Sequence, residues 1–345
     1  MSKYKFYKKV RLVVMQKKIA RRRFVAASGA LGLTAIAGCI GEDAEPDDDD
    51  DDDDDEIGDP DPDGGEILEW DAGGQSGTYY PLSGDFKSIV ESHTSHGLQV
   101  QSTGASVENV GRLERGESDF ALIQNDVGYF AYNGVGIDEI DEEMTSLRAV
   151  GSLYPETIHI VADADADIES IEDLDGATVN VGDEGSGTEV NAQQILETAG
   201  VEADEQTGDF ATAADQIRDG GIDAAVIVGG WPVGAVDELA ETTDITLVEV
   251  PEDIRADLME EAEWFSEDEI PGGTYDGADD DVQTVSVEAM IATHEDVDDE
   301  IVEEVTEAIF ENTDDVTQKE EYIDAESAQD AIPIDFHPGA EAYFD

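Results

Sequence analysis

From residue 66 onward, short apolar runs alternate with stretches whose apolar residues recur every three or four positions. The runs at 67–70, 98–101, 120–123, 147–153 and 158–161 read as strands. Between them, Phe86, Ile89 and Val90 fall at helical spacing behind Pro81, and Val107, Val110 and Leu113 mark a second helix closed near Gly116. A second set follows. It has a short helix over 168–174, a strand over 178–181, a helix over 190–199 and another ending at 217–220. A strand over 224–228, a helix over Val236 and Leu239, a strand at 245–248 and a helix through Leu258 complete it. The stretch 282–293 reads as one long strand, and 301–310 as an amphipathic helix with Val302, Val305, Ile309 and Phe310 near one face. Alternation of strand and helix predicts an α/β fold with mainly parallel sheets. Two sets of about 100 residues each predict two lobes, each a mainly parallel sheet flanked by helices.

The first 65 residues carry no such pattern. Ten basic residues, Lys3 to Arg23, precede Cys39, and no acid does. Arg21-Arg22-Arg23-Phe24-Val25 fits a twin-arginine export signal, and the apolar stretch 24–38 is too short to span a bilayer, which takes about 20 residues. Ile36-Ala37-Gly38-Cys39 resembles a lipobox, so residues 1–38 are expected to be a cleaved leader, with Cys39 lipidated. The chain would then sit on the outer face of the cytoplasmic membrane after export by the twin-arginine route. The unbroken run Asp47 to Asp55 and the Gly/Pro/Asp stretch after it make residues 39–65 a disordered acidic tether.

Charge narrows the range of partners. The chain has 345 residues, with 17 Lys and Arg against 88 Asp and Glu, a net charge of −71. Only Lys87, Arg112, Arg115, Arg148, Arg218, Arg255 and Lys319 follow Cys39. Such a body repels nucleic acid and anionic lipid, which need clustered cations. At molar salt, where the Debye length is about 3 Å, its self-repulsion is screened, so it reads as the solvated surface of a halophilic protein. A single cysteine permits no internal disulfide and no Cys-based zinc site.

In open α/β sheets ligands bind at turns that leave a strand and open a helix, where backbone N–H groups and the helix dipole favour an anion. Three stretches have that form: 73–78, 102–106 and 182–188. They supply Gly74, Ser76, Gly77, Thr78, Thr103, Ser106, Ser186, Gly187 and Thr188 as candidate donors for a bound carboxylate. Arg148 is the best-placed cation, Trp231 after two glycines could stack on a ligand, and Tyr79, Tyr80 and Tyr154 could line a cleft. No nucleophile elbow, Walker A loop, dinucleotide-binding glycine spacing or zinc-protease motif occurs, and the five histidines form no ligand pattern. No catalytic residue, metal or cofactor is expected.

Several segments also resemble a known family. They are Gly73-Gly74-Gln75-Ser76-Gly77-Thr78-Tyr79-Tyr80-Pro81, Thr103-Gly104-Ala105-Ser106-Val107-Glu108-Asn109, Gln124-Asn125-Asp126 and Leu153-Tyr154-Pro155-Glu156. Gly185-Ser186-Gly187-Thr188-Glu189-Val190-Asn191, Pro271-Gly272-Gly273-Thr274-Tyr275 and the end Ile332-Pro333 to His337-Pro338-Gly339-Ala340 belong with them. Together they resemble the TAXI family, the substrate-binding subunits of tripartite ATP-independent periplasmic (TRAP) transporters, from about Glu66 to Asp345. The resemblance implies a type II periplasmic-binding-protein fold with two hinge crossings. Lobe 1 would comprise 66–156 and 284–345, and lobe 2 would comprise 157–283. It adds Asn125, Glu156 and Asn191 to the expected ligand-binding residues. It implies a small carboxylate such as glutamate or 2-oxoglutarate, handed to a TRAP-type membrane permease. A sensory receptor using the same fold to address a signalling partner is the alternative reading, and an enzyme on the same scaffold is a remoter one.

Overall fold

The computed structural model describes residues 65–137, 140 and 142–345. The leader, Cys39 and the acidic tether lie outside the described residues.

The described chain opens with β1 (Ile67–Asp71), α1 (Tyr79–His93), β2 (Gly97–Gln101), α2 (Ser106–Glu114), β3 (Phe120–Gln124) and α3 (Asn125–Asn133). β4 (Leu147–Asp163) is a long strand, followed by β5 (Thr178–Asn180), α4 (Gly187–Ala199), β6 (Asp204–Gln206), α5 (Phe210–Arg218) and β7 (Ala224–Val228). Then come α6 (Gly234–Ala240), β8 (Ile245–Leu247), α7 (Glu252–Glu261), β9 (Ser266–Ile270), a second long strand β10 (Val282–His294), α8 (Asp299–Glu311) and α9 (Pro338–Phe344).

The strands run in the order β2-β1-β3-β10-β4-β7-β5-β6, with β8 on β4 and β9 on β10. Two parallel trios, β2-β1-β3 and β6-β5-β7, stand at the ends. β10 and β4 run antiparallel to their neighbours and join the trios. Each lobe is therefore a mixed sheet rather than a purely parallel one. The expectation of mainly parallel sheets holds for the βα units, where a helix crossover returns the chain in the same direction. It does not hold for the two strands that pass between lobes.

Each trio has its own core. Trp70, Phe86, Leu122, Val302, Ile309 and Phe310 belong to one buried cluster, with Trp70 stacked on Phe120 at 5.7 Å. Ile217, Ile227, Val236, Leu239 and Tyr275 belong to a second. Two separate cores joined by two strands make a two-lobed α/β molecule of the type II periplasmic-binding-protein class.

The apolar runs at 147–153 and 158–161 are one strand, not two. Pro155 does not break it because the pairing of β4 with β10 shifts register between Glu288 and Met290, where no ladder hydrogen bond is required of a proline. Within the second lobe, His159 is wholly buried and neutral, with burial lowering its pKa to about 4. Its Nδ1 lies 3.0 Å from the Thr157 carbonyl, its Nε2 lies 3.0 Å from the Tyr275 hydroxyl, and that oxygen accepts from Val233 N–H at 2.8 Å. The network assigns the tautomer: Nδ1 donates and Nε2 accepts. It pins the loop before α6 to the crossing strand.

Candidate functional site

A cleft of about 540 Å³, open solvent at its mouth included, lies between the lobes. Its walls are built from turns that leave strands and open helices. Gly73, Gly74, Ser76, Gly77, Thr78 and Tyr79 come from the β1–α1 turn, and Gly104 and Ala105 from the β2–α2 turn. Asp183, Ser186, Gly187 and Thr188 come from the β5–α4 turn, and Asp209 and Phe210 from the β6–α5 turn. Four helices thus point their N-terminal ends at one space. The first N–H groups of each have no acceptor inside their own helix.

Local sequence explains these turns. The β5–α4 turn needs φ of +93° at Gly182 and +77° at Gly185, the left-handed region that costs a glycine nothing. Ser186 then caps α4, its hydroxyl accepting from Glu189 N–H at 3.1 Å. In the β2–α2 turn Ala105 holds φ of +67° without being glycine, backbone strain of the kind found at functional sites. The surrounding bonds hold it: Thr103 Oγ1 accepts from Ala105 N–H at 3.1 Å, and the Thr103 hydroxyl lies 2.7 Å from Asn109 Oδ1.

The cleft is closed. Ser76 carbonyl accepts from Ala235 N–H at 3.2 Å, and Asn191 Nδ2 donates to Asp126 Oδ2 at 2.7 Å. The Thr78 hydroxyl reaches Gly230 carbonyl at 3.5 Å. Gly187 comes so near the first lobe that a Cβ there would overlap the Gln124 amide.

Glu156 lies on β4 in the cleft wall, 3% exposed. Its carboxyl accepts from Gln124 Nε2 and from the Tyr154 hydroxyl, each at 2.9 Å. Burial nevertheless pushes its pKa up to about 7, against the hydrogen bonds from Gln124 and Tyr154. Burial does the same to Asp126, also to about 7. Asp183 is raised by burial, with Asp209 and Glu108 adding to it. Two polar atoms in the wall are buried without a hydrogen-bond partner: the Tyr79 hydroxyl, which faces Glu156 and Ser106 without bonding geometry, and Gln124 Oε1. Behind them, Asp126 Oδ1 and Asn191 Oδ1 are in the same state. A buried polar atom left unbonded costs about 1–3 kcal/mol, so the two in the wall mark a place where a ligand would complete the bonding.

Of the residues expected from the sequence, Gly74, Ser76, Gly77, Thr78, Tyr79, Glu156, Ser186, Gly187 and Thr188 line the cleft. The others stand outside it. Thr103 and Ser106 build turns, Ser106 Oγ accepting from Gln124 N–H at 3.1 Å. Asn125 joins α3 to β10 and the C-terminal segment, through Glu288 N–H and Ala331 carbonyl. Tyr154 supports Glu156, and Asn191 bridges the lobes. Trp231 faces a different cavity. Arg148 is remote, paired with Glu295 at 2.5 Å.

The picture of free backbone donors also needs correction. The Gly104 N–H is taken by Glu108 Oε2 at 2.7 Å and the Gly185 N–H by Glu189 Oε2 at 2.9 Å. Both turns supply their own carboxylate from the next helical turn. Sequence reasoning passed over Gln124, Asp183, Asp209 and Phe210. Phe210 and Asp209 follow a glycine before a helix, the signal used for the other three turns.

Sequence comparison places this architecture. The chain belongs to the NMT1-like family. The match runs over residues 71–345, which includes all four cleft turns. Solved structures with a similar chain path include the periplasmic aliphatic sulphonate binding protein SsuA from Escherichia coli. It is 18% identical, with 53% of this chain and 60% of SsuA covered, at a TM-score of 0.38, so the chain spans less than two thirds of that protein. An ancestral arginine-binding protein bound to arginine is 15% identical, with 74% and 97% covered, at 0.47. A putative L-cystine ABC transporter from Listeria monocytogenes is 14% identical, with 76% and 98% covered, at 0.45.

Proposed function

We propose that this NMT1-like protein is an extracytoplasmic solute receptor that closes its two lobes on a small carboxylate and delivers it to a TRAP-type membrane permease. The observation that carries the reading is the convergence of four helix N-termini, the Ser186 and Thr188 side chains and the unpartnered Tyr79 hydroxyl on one closed cleft. A carboxylate there would accept charge-assisted hydrogen bonds of roughly 1.5–3 kcal/mol each. Three or four of these support micromolar affinity, about −8 kcal/mol, after the costs of association. The solute stabilises the closed form because it touches both lobes.

The wall also narrows the solute. Glu156, Asp183 and Asp209 line it, and none of the lining residues is Lys, Arg or His. A dianion without a compensating cation meets three acids there. A solute bearing an amine beside its carboxylate can place the ammonium at Glu156 and the carboxylate at the helix ends. Among the expected solutes, glutamate therefore ranks ahead of 2-oxoglutarate. The permease partner follows from the TAXI-like motifs, and the anchor from the lipobox ending at Cys39.

The test is isothermal titration of the full chain in molar potassium chloride with glutamate, glutamine, 2-oxoglutarate, succinate and malate. One-site binding of glutamate or glutamine, at least about tenfold tighter than 2-oxoglutarate, supports the reading. Binding of succinate or 2-oxoglutarate in preference removes the amine assignment, and no binding by folded protein removes the carboxylate. Cys39→Ser tests the anchor separately: the parent should partition into detergent when made in an exporting host, and the variant into the aqueous phase.

A further inference from the structure

A second cavity, about 280 Å³, lies beside the crossing strand and is lined by Pro155, Thr157, Gly230, Trp231, Asp268, Lys319 and Tyr322. Side chains alternate between the two faces of a strand. Glu156 lines the solute cleft while its neighbours Pro155 and Thr157 line this cavity, so the two spaces sit on opposite faces of β4.

Lys319 enters this cavity from the segment after α8, whose Val316, Ile323 and Ala328 belong to the first lobe's core. It is 8% exposed, in a chain with five acids for every base. Its Nζ donates to the Trp231 carbonyl and stands 5.9 Å from the centroid of the Trp231 ring. Among the described residues it makes no salt bridge. Trp231 packs against the second lobe's core. The stem is seated tightly as well: a Cβ on Gly230 would come within 2.6 Å of Lys319 Cε and 3.0 Å of its Cδ. A buried lysine carries a large desolvation cost. In this chain it is spent on one contact, between lobes. The carbonyl next to the gripped one, that of Gly230, is where Thr78 of the cleft wall reaches across.

We infer that Lys319 is a positioning residue for the solute cleft: it clasps the Gly229–Trp231 loop of the second lobe from the far side of β4 and holds that loop where Thr78 of the cleft wall meets it. The clasp acts on the lobe equilibrium, so removing it opens the cleft and lowers solute affinity by reducing the closed fraction. Solute contacts themselves are left in place. This serves the cleft of the proposed receptor, but its first readout requires no solute.

The experiment is a distance measurement between spin labels at Ser88→Cys on α1 and Glu238→Cys on α6, in a Cys39→Ser background of the full chain at molar salt. Both positions are exposed. Lys319→Met keeps the stem length and removes the donor, and should shift the solute-free distance distribution to longer values. Lys319→Arg restores a donor and should return it toward the parent. If glutamate or another solute of the panel binds, the Met variant should bind it roughly tenfold more weakly with the same order of preference. Thermal unfolding is measured alongside. Should Lys319→Met fail to fold, Gly230→Ala presses on the same stem, at 2.6 Å from Lys319 Cε against 3.0 Å from the Tyr154 ring, and should open the lobes likewise. Unchanged distances in a folded Lys319→Met or Gly230→Ala variant overturn the clasp, whichever solute the cleft prefers. Absence of solute binding with a clear opening leaves the clasp standing and removes only the receptor's assigned solute.

Discussion

On one face of β4, Glu156 is a buried acid held by Gln124 and Tyr154 in a wall that also carries Asp183 and Asp209. On the other face, Lys319 is a buried base held by a single carbonyl, beside Asp268 and Thr157. The acid lies where a solute would touch it. The base, carried by a segment packed on the first lobe, touches Trp231 of the second. Burial moves both groups toward neutrality, raising Glu156 and lowering Lys319. What separates them is access: one charge is arranged to be completed by a ligand, the other by the fold. A variant on the cleft face should change what binds, and one on the far face only how often the cleft is closed.

The largest break in that division is expected at Gly187→Ala. Gly187 does not use the left-handed region, so the effect comes from space alone. Its Cβ would overlap the Gln124 amide, which is 3% exposed and bonded to Glu156, so it has little room to yield. Wedging the lobes apart should cost roughly hundredfold in solute affinity. Each lobe keeps its core, so the melting temperature should stay close to the parent. Parent-like affinity by titration would mean that the lobes do not close on the solute as described.

Next is Glu156→Gln, which keeps the shape and removes the titration. In the folded protein this acid holds its proton up to about pH 7, whereas an exposed glutamate loses it near 4.5. Between those values the folded form binds the extra proton, so stability falls as pH rises through the window. The parent should therefore melt at a higher temperature at pH 5 than at pH 8, with Asp126 and Glu288, both raised to about 7 by burial, contributing in the same sense and together outweighing His159, whose lowering to about 4 opposes them below pH 6.5. The variant should flatten the dependence by something on the order of 1–3 kcal/mol. It should also lose about tenfold of any preference for glutamate over 2-oxoglutarate. A melting curve with the parent's pH dependence would show that Glu156 titrates no differently in the folded and unfolded chain.

How much of this was legible beforehand differs between the faces in the same way. The cleft face follows from local rules. Glycine and hydroxyl residues between an apolar run and a helical period marked three of the four turns, and Val302, Val305 and Ile309 marked α8 without ambiguity. The far face depends on contacts between distant positions. Lys319 meets a carbonyl 88 residues earlier in the chain, and no period or spacing links them. Trp231, beside two glycines, looked like a ligand platform, and only the tertiary path turns it toward Lys319 instead. β9, Ser-Glu-Asp-Glu-Ile, has no apolar alternation because only Ile270 is buried, and it is a strand through its pairing with β10. No helix is expected after the strand at 120–123, yet α3 starts directly at Asn125, and its Asn125 and Asp126 are buried.

A smaller effect is expected from Thr188→Val, which removes a hydroxyl from the cleft wall and preserves the branched shape. Thr188 is 5% exposed and sits in the first turn of α4, where Ser186 and not Thr188 provides the cap. The variant should therefore fold with unchanged stability and bind its solute roughly three- to tenfold more weakly, the worth of one hydrogen bond. Unchanged affinity in a titration that resolves a factor of two would take Thr188 out of the solute's contacts. Ser186→Ala is the less clean probe, since losing the cap costs about 1 kcal/mol of helix stability by itself.

The smallest effect, and the one that sharpens the comparison most, is expected at Trp231→Phe. Lys319 grips the backbone carbonyl of this residue, so the clasp survives the substitution, and only the contact between ammonium and indole is weakened. Such a contact is worth about 0.5–1 kcal/mol at a partly exposed site. If Trp231 stacked on the solute, its replacement would change the order of preference among solutes of different shape. Because it stands on the far side of β4, every solute should instead weaken by the same factor, about threefold or less. A common factor across the titration panel keeps Trp231 with the clasp. A reordering of the panel would place its ring in the cleft and dissolve the division between the two faces.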